Sequence, residues 1–268
     1  MRALIDGDVI LYAVGFAAQR QYYLVAGEHE LGTMTEVKKY LLEHGAAEVE
    51  KILVPDPVEN ALHSAKAMIE RIQNESGCDS RTVYLTGKGN YRDYLYPLYK
   101  ANRAGTARPV HYQAIKDYMI KYQRAVVVDG QEADDQLGID QGDETVICTI
   151  DKDLDMISGL HYNWLKPEKG IYYVTAEEGL RWFYRQLLMG DATDNIPGIK
   201  GIGMKKSEKL VEGVEDYDNL VYQQYAASLP ECSREAIITM IERNANLLLI
   251  RTTKDQPLWK LNTTAGLD

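Results

Sequence analysis

Short apolar runs closed by an acid recur along this chain. Ala3–Ile5 is followed by Asp6 and Val146–Ile150 by Asp151, and both runs have the length and continuity of strands buried on two faces. Thr82–Leu85 and Ala125–Val128 read as two further strands, the first broken by Thr86-Gly87-Lys88-Gly89. Between them, apolar positions at helical spacing predict helices over 9–18, 36–44, 58–74, 132–139 and 177–189. Residues 22–34 read as a hairpin around Gly27, and 162–165 with 171–174 as another turning at Glu168-Lys169-Gly170. Strands separated by helices predict an α/β fold, a mostly parallel sheet flanked by helices, with function gathered beyond the carboxyl ends of the strands. Asn195–Lys209 is a Gly-punctuated turn leading into a helix. The chain to about 250 is then helical, and an irregular tail follows Thr252.

At 268 residues the chain can hold one large domain or a main domain with an appendage. The apolar start is interrupted by Asp6 and Asp8 and lacks a cleavage site, so a buried strand and helix is the expectation rather than a signal peptide. No uncharged run is long enough to span a membrane. Cys78, Cys148 and Cys232 are far apart and lack metal-type spacing, which suggests a reducing, cytoplasmic setting.

The net charge of −10 alone argues against nucleic acid. The acids, however, are bunched: Asp6, then Glu132, Asp134 and Asp135, then Asp151 and Asp153, then Asp191 and Asp194. Each pair alone also suits a helix start, where carboxylates cap amides and meet the dipole. Recurrence at successive strand ends points instead to hard divalent cations, Mg²⁺ or Mn²⁺, since gathered like charges need neutralising. Two such ions about 3.5–4 Å apart suit phosphodiester hydrolysis.

Two basic segments could hold phosphates. Around Gly198, Gly201 and Gly203, backbone amides at a helix start lie near Lys205, Lys206 and Lys209. Further upstream, Arg92, Lys100, Arg103 and Arg108 are interleaved with Tyr91, Tyr94, Tyr96 and Tyr99, which suits single-stranded nucleic acid. The five histidines are scattered and form no nucleophilic site, and GKG at 87–89 is not a phosphate-binding loop for ATP.

Taken in order, Asp6-Gly7, Tyr99-Lys100-Ala101-Asn102-Arg103, Glu132 to Asp135, Asp151 to Asp153 and the run 190–203 resemble the 5′ nuclease superfamily: the flap endonucleases, the 5′→3′ exonuclease domain of bacterial DNA polymerase I and particularly the bacteriophage 5′→3′ exonucleases. The resemblance implies a PIN-like nuclease core over 1–190 with a helical arch or loop at about 88–115 carrying Lys100 and Arg103. It also implies a helix–three-turn–helix DNA-binding region over 191–268, able to hold K⁺ through backbone carbonyls. Asp6, Glu132, Asp134 and Asp135 would serve a first Mg²⁺, and Asp151, Asp153, Asp191 and Asp194 a second. Lys100 and Arg103 would act on the scissile phosphate, with Asp6 and Asp153 central to catalysis. Tyr99, Lys100, Arg103 and the Gly198–Lys209 segment would contact DNA.

The implied activity is a monomeric 5′→3′ exonuclease or flap nuclease of bacteriophage DNA replication or recombination, acting in the cytoplasm of an infected cell. Duplex ends, nicks and flaps are the expected substrates, and RNA–DNA hybrids a further one. One departure stands out: where many members carry an acid after the second strand, this chain has Thr86-Gly87, so that either Asp8 or a water takes that place or the first metal is bound more weakly. A non-catalytic branched-DNA binding module and a PIN-type single-strand RNase are the rival readings. The Gly-rich grip weighs against the RNase.

Overall fold

A computed structural model describes residues 1–262. In chain order the strands are β1 Arg2–Asp6, β2 Gln19–Val25, β3 His29–Leu31, β4 Val49–Pro55, β5 Ser80–Asn90, β6 Val126–Gly130, β7 Thr145–Cys148, β8 Gly159–Tyr162, β9 Ile171–Val174, β10 Gly190–Asp191 and β11 Ile196–Pro197. The helices are α1 Gly7–Ala17, α2 Met34–His44, α3 Val58–Glu75, α4 Tyr91–Leu95, α5 Tyr112–Gln123, α6 Ala133–Asp140, α7 Ala176–Met189, α8 Met204–Val211, α9 Tyr217–Ser228 and α10 Arg234–Leu248.

The chain forms two compact units. The larger comprises residues 1–8, 72–106 and 125 onward. Its six-stranded sheet has the order β6-β5-β1-β7-β8-β9, parallel except for β9, which runs antiparallel to β8. Ala3, Leu4 and Ile5 on β1 and Val146, Ile147 and Cys148 on β7 are all fully buried. These continuous apolar runs therefore form the middle of the sheet, as a layer covered on both faces requires. The smaller unit, residues 9–71 and 107–124, contains a three-stranded antiparallel sheet of order β3-β2-β4, with Tyr23 and Val25 packed on Val37 of α2.

Several expectations need correction. The segment 88–115 contains no continuous helix: α4 is five residues long and Ala101–Arg103 is a single 3-10 turn. Pro97 and the left-handed Lys100, at φ 53°, interrupt any longer helix. Thr86–Gly89 does not end β5, which continues to Asn90 with a register irregularity after Thr86. The second hairpin pairs β8 with β9 three residues earlier than expected, because Asn163 Oδ1 accepts from Leu165 N and closes a turn there. β4 was not anticipated.

The compact units do not divide near residue 190 either. Leu4 and Ile147 of the sheet share one apolar core with Leu187 of α7, Val221 of α9 and Ile241 of α10. The tail beyond Thr252 is irregular but attached. Leu261 is buried, and Trp259 exchanges backbone hydrogen bonds with the Asn246 side chain at 2.7 and 3.0 Å. Among the described residues, no helix is long and apolar enough to cross a membrane.

Candidate active site at the carboxyl edge of the parallel sheet

Asp6 closes β1, Asp151 follows β7, and Glu132 precedes α6, so the parallel strands deliver three acids to one edge. Each is held by a neighbour. Thr149 Oγ1 donates to Asp6 Oδ2 at 2.8 Å, Asn90 Nδ2 to Glu132 Oε1 at 3.0 Å, and Gln186 Nε2 of α7 to Asp153 Oδ1 at 2.7 Å. Asp151 Oδ1 caps the following turn by accepting from Asp153 N. Asp191 lies on the short β10–β11 ribbon, where its Oδ1 accepts from Thr193 N at 2.7 Å, and Asp194 sits in the connecting loop.

Electrostatics divides these acids into two neighbourhoods. Burial, then Asp6, Glu132 and Asp151, push the Asp134 carboxyl well above its ordinary range. Burial, then Asp151, Asp191 and Asp194, push Asp153 up to about 7. Asp151 belongs to both sets. Lys100 and Arg103 supply the opposing charge: Lys100 Nζ contacts Glu132 and lies 3.5 Å from Asp194, while Arg103 donates to Asp194. Burial acts to lower the Lys100 ammonium, but Glu132 and Asp194 outweigh it and raise its pKa, so it remains a cation.

Two of the expected site residues are placed elsewhere. Asp135 is fully buried and both of its oxygens are taken, by Arg92 Nη1 and Nη2 at 2.6 and 2.9 Å, Glu132 N at 3.2 Å and Arg251 N at 3.0 Å. It is thus an internal counter-ion and is removed from the ligand set. Arg92, expected among the nucleic-acid cations, is buried with it. Tyr99 is only 6% exposed and cannot present a face to a base; its hydroxyl lies 3.1 Å from both Glu132 and Asp194. Gly198, Gly201, Gly203, Lys205, Lys206 and Lys209 are all exposed in and beside the α7–α8 connection. A Cβ on Gly198 would lie 2.1 Å from the Met189 carbonyl, so glycine is what lets the ribbon close there.

The structure also explains Thr86-Gly87. Thr86 Oγ1 accepts from Ala133 N at 2.9 Å, fixing the start of the acid-bearing helix α6, and Thr86 N donates to Asp8 Oδ2 at 3.0 Å. A Cβ on Gly87 would meet Asp129 Oδ1 at 2.1 Å and Val128 O at 2.8 Å. Gly87→Asp is therefore expected to lower stability by about 1–3 kcal/mol in urea unfolding, as overpacking does. An unchanged midpoint would show that β6 gives way easily at this point.

Asn90, Thr149 and Gln186 are residues of this site that the sequence does not single out. Nothing in the local pattern marks them, since each acts on an acid distant in the chain.

Among the described residues, no three His, Cys, Asp or Glu side chains already form a group able to hold a metal ion. The donor chemistry nonetheless fits a hard divalent cation. All the candidate ligands are carboxylates, and their mutual repulsion, seen at Asp134 and Asp153, would be relieved by one. Asp6, Glu132, Asp134 and Asp151 would hold one ion, and Asp151, Asp153, Asp191 and Asp194 a second.

No family model matches the chain. It is 31% identical over 221 residues to the thermostable DNA polymerase I of Thermus caldophilus, an alignment that covers 76% of this chain and 26% of that protein. It is 33% identical over 162 residues to the 5′-3′ exonuclease of Bacillus subtilis, covering 50% of this chain and 52% of that protein. The chain thus spans about a quarter of the length of the polymerase and about half that of the exonuclease. Among solved structures, the bacteriophage T5 flap endonuclease in a pseudo-enzyme–product complex with DNA and metal ions aligns with TM-score 0.52 and 16% identity, over 92% of this chain and 88% of that one. A T5 protein crystallised with metal ions aligns with TM-score 0.50 and 17% identity, over 92% and 85%. At such identities these two likenesses speak for the fold. With the polymerase and exonuclease relatives, they show that the chain belongs to the 5′ nuclease superfamily.

Proposed function

We propose that the chain is a Mg²⁺-dependent nuclease that hydrolyses DNA phosphodiesters in the 5′→3′ sense from duplex ends, nicks or flaps. The observation that carries this reading is the pair of carboxylate neighbourhoods sharing Asp151, with Lys100 and Arg103 seated on their rim. Bound divalent ions would supply an acidified water and a counter-charge for the leaving oxygen.

The chain's own groups do the rest. Thr149, Asn90 and Gln186 orient Asp6, Glu132 and Asp153, and the raised Lys100 pKa keeps an ammonium ready for the scissile phosphate. Away from the cut, Gly203 starts α8 without a side-chain cap, leaving that helix start and the exposed Lys205, Lys206 and Lys209 to grip duplex phosphates. The T5 relative solved with DNA and metal ions supports this assignment of substrate. Carbonyls of the same connection would hold a K⁺ ion. The reading extends to RNA strands of hybrids and to a monomer working in phage DNA replication.

Incubation with 5′-labelled nicked, flapped and RNA-containing duplexes, with Mg²⁺, with Mn²⁺ and with EDTA, tests the whole reading. Metal-dependent release of 5′-phosphorylated products is expected. Binding of branched DNA without cleavage in either metal would make the chain a binding module.

Lys100→Ala and Arg103→Ala are each expected to lower single-turnover cleavage by about 10²–10³-fold, as loss of a donor to developing charge does. A change confined to DNA affinity would reassign both to substrate positioning.

A further inference from the structure

Residues 98–103 of the larger unit lie along the 192–195 loop, and most of the bonds that fasten the two come from uncharged groups. Lys100 N donates to Asp194 O at 2.9 Å, and Asn195 Nδ2 to Leu98 O at 2.7 Å. Asn102 Nδ2 donates to Ala192 O at 2.8 Å and lies 3.2 Å from Thr193 O. Two non-glycine residues here take left-handed backbone conformations, Lys100 at φ 53° and Asn195 at φ 58°. Such conformations persist only where the surroundings hold them, and asparagine tolerates them better than most residues.

The backbone bonds and the two asparagine amides need neither cation, although Arg103 Nε also donates to Thr193 O at 3.2 Å and Lys100 Nζ lies 3.5 Å from Asp194. The Lys100 ammonium and the Arg103 guanidinium project from the fastened backbone onto Glu132 and Asp194. Long basic side chains carry much rotamer entropy, so aiming them needs a fixed origin.

We propose that Asn102 and Asn195 are positioning residues: they clasp the backbone of residues 98–103 to the Asp194 loop, so that Lys100 and Arg103 pass between these carboxylates and the scissile phosphate by side-chain rotation alone. The inference rests on the nuclease reading for its chemistry, though the clasp itself can be tested without activity.

Asn195→Gly keeps a residue suited to positive φ and deletes the amide, while Asn102→Ala deletes the other amide at an exposed position. The full chain carrying each change is compared with wild type in three measurements. These are single-turnover cleavage of a flapped duplex with Mg²⁺, affinity for that duplex with Ca²⁺, and the rate of trypsin cutting after Lys100 and Arg103 in EDTA, read by mass spectrometry.

Cleavage is expected to fall about 10–100-fold, as misplacement of reacting groups by a fraction of an ångström does. Affinity should stay within about twofold, and trypsin should cut about tenfold faster, the effect of losing one hydrogen bond. Wild-type trypsin rates in both variants would overturn the clasp. A cleavage defect matched by an equal loss of affinity would overturn the positioning role and make the asparagines DNA contacts. If wild type itself fails to cleave, the nuclease reading falls and the trypsin rates still decide whether the clasp exists. Should Asn195→Gly fail to fold, Asn102→Ala decides alone.

Discussion

Asp153→Ala is expected to reduce DNA cleavage by on the order of 10³-fold or more, because losing one ligand removes several kcal/mol of charge stabilisation from the transition state. Duplex affinity measured with Ca²⁺ should change little, since the grip at Gly203–Lys209 is untouched. The metal-free variant should also resist urea at least as well as wild type. Burial and Asp151, Asp191 and Asp194 all disfavour the Asp153 carboxylate, and removing it relieves them. A variant that cleaves at the wild-type rate would remove Asp153 from the metal set, and one that is inactive but strongly destabilised would make its loss a folding effect.

Arg92→Ala should lower stability by about 3–5 kcal/mol, the usual consequence of stranding one partner of a buried ion pair. Arg92 and Asp135 are 2% and 0% exposed, and the guanidinium also donates to Leu247 O and Leu249 O at 2.9 Å each. Replacing both partners with apolar residues, Arg92→Met with Asp135→Leu, should recover part of that loss, because no charge is then left alone. Urea unfolding of the single and double variants checks both statements. A single-variant loss below about 1 kcal/mol would mean that water reaches Asp135 when Arg92 is gone.

The sheet was legible because its strands are short apolar runs closed by acids, and β1 and β7 lie where that pattern places them, within one or two residues. The acids around Asp151 were legible for the same reason. What the pattern could not give is the direction of a side chain within EADD. Successive helical residues point about 100° apart, so Asp134 faces the other acids while Asp135 faces the interior, and the two letters are identical in sequence. Sequence does not separate Arg92 and Tyr99 from surface groups, because a basic, aromatic-rich stretch looks the same whether it meets a nucleic acid or a buried carboxylate. The partners that decide the matter lie 43 and 33 residues away. β4 was missed because Lys51–Val54 is short and neighbours Pro55, and only its pairing with β2 makes it a strand.

The Arg92 guanidinium joins chain segments up to 157 residues apart. Part of what holds α6, and with it Asp134, is therefore a set of contacts that a growing chain cannot make until residues 247–251 have left the ribosome. During synthesis the acids at the start of α6 wait for their last support, and closing so long a loop is costly in entropy and slow. A nascent chain should thus carry a folded sheet before the proposed active site is complete.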